Sequence, residues 1–274
     1  MKLYKRAAAL ILTAATLLSL APPVSAEGDR VTISSAKEFY ALVQNCTRDV
    51  WSQGVTVELT ADLDLSGSDF QPIPIFQGTF HGNGHTIRGI TYDHKGSTLG
   101  LFRTLTESAV VEGLCVEGLL EPQGSASQLG LLAGENYGAI RSCSAKGTVS
   151  GQEDVGGLVG VNGETGRIEG SSSQVQISGV TNVGGIAGQN LGTLDRCINT
   201  GVLNPDPDQE IPTSVGGIAG LSRGTIQSCS NSGEIGYQHL GYNMGGIVGL
   251  QSGSVLQCSN TGKVWGRKDV GGIV

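Results

Sequence analysis

Six near-copies of one short pattern constrain this chain more than anything else in it. The pattern is an apolar residue, two glycines, two apolar residues and a third glycine. It runs LGLLAG (129–134), VGGLVG (155–160), VGGIAG (183–188), VGGIAG (215–220), MGGIVG (244–249) and VGGIV (270–274), after a weaker LGLF at 99–102. The starting residues 99, 129, 155, 183, 215, 244 and 270 are 30, 26, 28, 32, 29 and 26 residues apart. A period in that range means a stack of equivalent structural units. The repeated glycines are Gly156, Gly157, Gly160, Gly184, Gly185, Gly188, Gly216, Gly217, Gly220, Gly245, Gly246 and Gly249.

Each unit has the same interior. A polar turn follows the anchor at Asn136, Asn162, Asn190, Ser222 and Gln251, then a glycine, then a β-type segment such as AIRSC (139–143) or TIQSC (225–229). Three units continue into Asn-Ser/Thr-Gly at Asn199, Asn231 and Asn260. Each unit reads as about three short strands separated by glycine-led turns. No helical period is present. Glycine at 44 of 274 residues and aromatics at 5% fit a turn-rich chain whose core is Leu, Ile, Val and Ala. One coil of short strands cannot bury its own apolar side, whereas stacked coils can, each pairing with the next at ~4.8 Å. The fold class expected is all-β, a right-handed parallel β-helix with rungs of 26–32 residues and a short N-terminal helical cap.

Stacking makes columns of equivalent residues. Cys143, Cys197, Cys229 and Cys258 fall in one column with Leu114 and Ser171. That mixture suits an inward, crowded file in which cysteine serves as a small apolar residue. In-register neighbours are too far apart at Cβ for a relaxed disulfide, so free thiols are expected. Gln128, Asp154, Asn182, Ser214, Asn243 and Asp269 each precede an anchor. They read as corner residues, as do the stacked Asn136, Asn162 and Asn190.

These units resemble GLUG-motif repeats, whose Gly-Leu-Val-Gly-like core appears here as GGLVG and GGIAG. The preceding VTVELTADLDLSG (55–67), QPI (71–73) and FQGTFHGNGHTIRGI (76–90) resemble the usual lead into such a stack, with His81 where the family usually has Asp. The resemblance spans residues 55–274. It implies a β-helix in a secreted or surface protein of bacteria, and it brings no catalytic residue, because the motif is structural. The family also occurs within some large immunoglobulin-A-cleaving metallopeptidases.

Residues 1–26 read as a secretory signal cleaved after Ala26. Lys2, Lys5 and Arg6 precede a 14-residue apolar run, Ala7–Leu20, and Val24-Ser25-Ala26 fits the cleavage pattern. The run is short for a membrane span. Residues 27–54 form the expected cap, a strand at VTIS and a helix started by the capping box Ser35-Ala-Lys-Glu38, with Phe39, Leu42 and Val43 on one face. Residues 55–98 are the opening rungs and 99–274 the repeat β-helix. The chain ends one residue short of a sixth GGIVG, so further repeats or domains beyond Val274 are expected. Losing the three signal cations takes the net charge from −7 to −10. That argues against nucleic acid and anionic membranes as partners, and no membrane insertion is expected of the mature chain.

Candidate chemistry is sparse. His81-Gly-Asn-Gly-His85 has a zinc-like spacing, but its glycines break the helix that such a pair needs, so it reads as a turn. There is no HExxH, the G-x-S-x-G match GLSRG (220–224) lies within the repeat with no helix expected after it, and the GGxxG matches arise from the repeat as well. No cofactor is expected. Asn45-Cys-Thr47 fits a glycosylation sequon, with occupancy not expected in a bacterial protein. The insertion Pro205–Pro212 offers Asp206, Asp208 and Glu210 as a weak calcium candidate, against a solvated, proline-stiffened loop. The next two rungs carry Tyr237, His239 and Tyr242, then Trp265, Arg267 and Lys268, at the matching corner. Exposed aromatics beside charges suit sugar faces or a protein hot spot; the competing reading is that Trp265 and Tyr242 pack against each other.

Three functions compete. The first is a non-enzymatic, exported surface module for adhesion or ligand presentation, its candidate ligand-binding residues Tyr237, His239, Tyr242, Trp265 and Arg267 and its partner an extracellular glycan or host protein. The second is a polysaccharide lyase or hydrolase. Its candidates Glu112, Glu169 and Asp195 lie on different rungs with no pairing visible in the sequence. The third is a non-catalytic segment of a larger exported peptidase.

Overall fold

The computed structural model describes residues 30–48, 50–208 and 210–274. The signal assigned to residues 1–26 lies outside them. The chain winds into a right-handed parallel β-solenoid of about eight turns. Each complete rung has four strands rather than the three expected. In one rung these are Glu153–Gly156, Val159–Asn162, Arg167–Glu169 and Ser172–Ser178. They belong to sheets of six, seven, nine and eight strands, here called faces 1 to 4. The extra strand comes from the anchor itself. VGGLVG straddles a corner at Gly157-Leu158, so its first half belongs to face 1 and its second to face 2.

The glycine pair makes that corner because a Cβ has nowhere to go. On Gly184 it would stand 2.0 Å from the carbonyl oxygen of Ala187, and on Gly185 2.1 Å from that of Gly217 one rung on. The apolar residue after the pair fills the interior. The amide N–H of Ile186 donates to Ile218 O at 2.9 Å and that of Ile218 to Ile247 O at 2.8 Å, and all three side chains are fully buried. Face 3 supplies the opposite wall, where Val111, Ile140, Ile168, Leu194 and Ile226 stand in register. In the first rungs the aromatic residues Phe76, Phe80 and Phe102 fill the same space, with ring centroids 5.3–6.2 Å apart.

The column of residues before each anchor has a backbone cause. Gln128, Asp154, Asn182, Ser214, Asn243 and Asp269 all sit at φ between 53° and 59°, the left-handed region. Asn and Asp tolerate it best among non-glycine residues, which explains their share of the column. The residues before the cysteine file repeat the device at φ near 52° in Ser142, Arg196, Ser228 and Gln257. These left-handed residues turn the chain from face 3 to face 4.

The N-terminal strand Arg30–Ile33 pairs with Thr56–Leu59. Helix α1, Ala36–Asn45, follows. Ser35 caps it, and Glu38 Oε2 returns to accept from the Ser35 hydroxyl at 3.0 Å and from the N–H of Ser34, one residue before the cap, at 2.8 Å, a shifted form of the capping box the sequence predicts. Phe39, Leu42 and Val43 are buried, and α1 packs beside the strand Ile73–Phe76. Among the described residues no helix is long and apolar enough to cross a membrane.

Candidate functional site

The insertion and the rung after it create the main irregularity of the outer surface. Leu203, Ile235 and Val264 bridge from rung to rung and hold its base. Just beyond them the chain leaves the repeat. Residues 205–208 lead out of one rung, and Gly236, at φ +74°, turns Tyr237 out of the next. Between these departures lies a depression lined by Val202, Pro205, Glu234, Gly236, Tyr237, Gln238 and Trp265. Trp265 is held in place twice. Its backbone N–H donates to Ile235 O at 2.8 Å, and its indole Nε1–H donates to a Glu234 carboxylate oxygen. Lys263 Nζ stands 5.9 Å from the centre of its ring. Tyr237 is 41% exposed at the opposite wall.

The five predicted ligand residues therefore separate into three places. Tyr237 and Trp265 share the depression. Tyr242 begins the face 1 strand Tyr242–Gly245, in register with Thr213 and Lys268, and the Arg267 guanidinium lies 5.9 Å from its ring. His239 occupies an exposed left-handed turn position and lines neither group. The packing of Trp265 on Tyr242 is not observed, because the turn 236–241 carries the chain from face 4 to face 1 between them. In the insertion, Asp206 Oδ1 accepts from the Asp208 N–H at 2.8 Å, an Asx turn, while Glu210 lines a separate hollow with Gln152 and Ser178. The three carboxylates do not converge. Among the described residues no three His, Cys, Asp or Glu side chains are placed to hold a metal ion.

The two histidines of HGNGH diverge onto different carboxylates. His81 Nδ1 lies 2.7 Å from Glu112 Oε1 and His85 Nδ1 3.1 Å from Asp62 Oδ1. Register also corrects the sequence reading of the carboxylates. Glu58, His81, Glu112, Arg141, Glu169 and Asp195 occupy one file at the outer edge of face 3, each beside the next. Acidic and basic residue types alternate from Glu58 to Glu169, with Arg141 Nε 3.7 Å from Glu169 Oε2, and Asp195 is paired to Arg196 beside the file. Glu58 is held below the usual carboxylate range, chiefly by the hydrogen bond from Asn83 and then by the charges of Arg30 and His81. The signal was the third residue of each face 3 triplet (TFH, VVE, AIR, RIE, TLD), which becomes legible only once the triplets are aligned.

The cysteine column is structural. Backbone N–H groups of Cys143, Cys197 and Cys229 point to Ser171 Oγ, Cys229 Sγ and Cys258 Sγ at 3.1, 3.3 and 3.4 Å. All six cysteines are free thiols. Burial pushes the Cys143 thiol up to about 12. Cys229 is also raised, first by its hydrogen bond with Cys197 and then by burial.

The molecule so described is a parallel β-solenoid whose repeat-specific residues build its interior and corners. The GLUG motif matches residues 125–150 and 151–178, two consecutive rungs. Two curated proteins are similar over longer stretches. One is halomucin of Haloquadratum walsbyi, 36% identical over 119 residues, 37% of this chain and 1% of that protein. The other, from Evansella cellulosilytica, is described as a Gly-rich membrane protein and is 33% identical over 96 residues, 33% of this chain and 11% of its own length. The chain thus corresponds to only a small part of either relative. Among solved structures, a protein of Bacteroides ovatus described as an immunoglobulin A1 protease shares the fold with a TM-score of 0.62 over 83% of this chain and 74% of its own, at 20% identity.

Proposed function

We propose that this chain is an exported, non-catalytic surface module that binds an extracellular glycan at the face 4 corner. The observation that carries the reading is the convergence of Tyr237 and Trp265 on one depression bordered by the insertion. One ring is exposed and the other is fixed edge-on by Glu234. Aromatic faces with hydrogen-bonding neighbours suit the mixed C–H and hydroxyl surface of a sugar. The segments similar to halomucin and to a protein described as a Gly-rich membrane protein support a place at the cell surface. Adhesion and ligand presentation are the roles such a module would serve, and a host protein bearing the glycan is the alternative partner.

A panel of polysaccharides and mucins, scored in the same wells for bound protein and released fragments, tests this reading. Binding without fragments is expected, and it should fall at least about tenfold in Tyr237→Ala and Trp265→Ala. Folded variants that bind like the parent would remove the site. One geometric observation favours a second reading, cleavage of a polysaccharide: the His81–Glu112 pair at 2.7 Å with Arg141 next in file. Fragments that accumulate with time and vanish in Glu112→Gln would establish it instead.

A further inference from the structure

The depression at Trp265 is one end of a longer feature. In the rung with strand Ser172–Ser178, side chains alternate strictly, with Ser173, Val175 and Ile177 buried and Gln174 and Gln176 exposed. Parallel register carries that alternation along the axis. Lys146 stands beside Gln174, and Thr148 beside Gln176. The Thr200 N–H donates to Ser173 O at 2.9 Å and Leu203 bridges Ile177, which places Thr200 and Val202 next in the same two files. Between the files lies a shallow trough lined by both rows and floored by Gly147 and Gly201. Val202 lines this trough and the aromatic depression alike, so the two are continuous. Resting on the glycan reading above, we infer that the trough is the binding track for a linear, uncharged polysaccharide lying parallel to the solenoid axis, with Tyr237 and Trp265 holding one end.

The lining sets the class of ligand. Gln174, Gln176, Thr148 and Thr200 are uncharged groups that both donate and accept, as sugar hydroxyls do. Val202 gives a patch of apolar floor for a C–H face. The charges lie towards the ends, and each end carries both signs, Lys146 beside Glu117 at one and Glu234 beside Lys263 at the other. Glu234 already accepts from Trp265. The mature chain is acidic overall, so a polyanion gains little here and is repelled elsewhere. A neutral polymer meets no such opposition. The geometry also favours a polymer over a single sugar, because equivalent side-chain pairs recur at every rung, about 4.8 Å apart. From the rung of Lys146 to that of Lys263 the track is about 20 Å long.

Isothermal titration of the full chain with a size series of β-1,4-linked gluco-, manno- and N-acetylglucosamine oligosaccharides tests the inference. With the matching series, affinity should rise with length until the oligosaccharide spans about 20 Å and then level off. The double variant Gln174→Ala/Gln176→Ala should bind the longest member about tenfold more weakly, the loss of one or two hydrogen bonds, and the shortest as the parent does. Trp265→Ala should weaken every length. Length-independent binding that the double variant leaves unchanged would overturn the track while the aromatic site stands. Binding confined to polyanionic glycans, or no binding to any neutral series, would overturn the ligand class. Gln174→Asn/Gln176→Asn, which keeps the amide chemistry on a shorter arm, should recover part of the loss if hydrogen bonding is its cause.

Discussion

Replacing Asn231 by alanine should cost this solenoid more than any outward-facing substitution. Asn231 lies in the middle of a ladder and is 2% exposed. Its Nδ2 donates to Asn260 Oδ1 at 2.8 Å and to Gly233 O at 2.9 Å. Its Oδ1 accepts from Asn199 Nδ2 at 2.8 Å and from Gly233 N–H at 3.2 Å. Truncation removes four bonds, three of them to groups held away from water, and at about 1 kcal/mol for each bond the loss is about 4 kcal/mol. The side chain also occupies the space that Gly217 leaves open, since a Cβ there would stand 2.4 Å from Asn231 Cγ. Alanine therefore leaves a void as well. Asn260 makes the same local turn but is only half-buried, so Asn260→Ala should cost about half as much or less. A solenoid can lose stability locally, so hydrogen exchange at Gly233, Thr261 and Gly262 should be read beside urea unfolding. An Asn231→Ala variant within about 1 kcal/mol of the parent, with unchanged exchange at those amides, would refute the claim that the ladder holds the rungs together.

Three further outcomes follow from the corners and columns. Burial raises the Asp154 carboxyl above its ordinary range, the hydrogen bond from Asn182 offsetting part of the effect. A raised folded-state value means that the stability from this group is complete below the unfolded value and is lost as pH rises through the folded one. Asp154→Asn should therefore stabilise the protein at neutral pH and lose that advantage near pH 3, as thermal melts across pH would reveal; equal gains at both pH values would contradict the burial argument. Thiol titration should find all six cysteines reduced on unfolding, while in the native protein Cys115 and Cys258 react before the buried Cys46, Cys143, Cys197 and Cys229; a bridge between Cys197 and Cys229 would break the assigned register. At Gln257, exposed and at φ 52°, valine should destabilise by about 1–2 kcal/mol relative to glycine. Equal melting temperatures for the two would show that the left-handed corner relaxes without cost.

The interior was legible in the sequence because it repeats. The glycine pairs, the cysteine file, the asparagine columns and the cap of α1 each follow from a residue type recurring at a fixed offset or from a local signal. The four-strand rung was hidden for the same reason. VGGLVG reads as a single unit, and only the clash of a Cβ at Gly184 with the Ala187 carbonyl shows that it is a corner. The outer surface was less legible. Tyr237 and Trp265 fall into one hollow while Tyr242 goes to another face, because two positive-φ glycines, Gly236 and Gly241, set the direction of the loop between them. The face 3 file of Glu112, Arg141, Glu169 and Asp195 required exact alignment of three-residue strands whose spacing varies from rung to rung. Sequence spacing carries no such alignment when loops differ in length.

The two halves of the repeat also constrain each other. Gly185, Gly217 and Gly246 leave room at the corner between faces 1 and 2, and the side chains of Asn199, Asn231 and Asn260 from face 4 enter that room, each within 2.4–2.6 Å of where the glycine Cβ would be. Neither feature can change alone. A larger residue at the glycine expels the amide, and a lost amide leaves both a void and stranded partners. In the rung of Gly157 the partner is Ser173 instead, whose hydroxyl is buried and has no hydrogen-bond partner among the described residues. The first asparagine of the ladder thus appears one rung later, at Asn199, where a second amide above it can complete the chain of bonds. Ser173→Asn should extend the ladder downward by donating to Asn199 Oδ1 and raise stability by about 1 kcal/mol, measured by urea unfolding. A loss of stability would mean that the Ser173 site, beside Ala145 on the preceding rung, lacks the room that Gly157 is argued to provide.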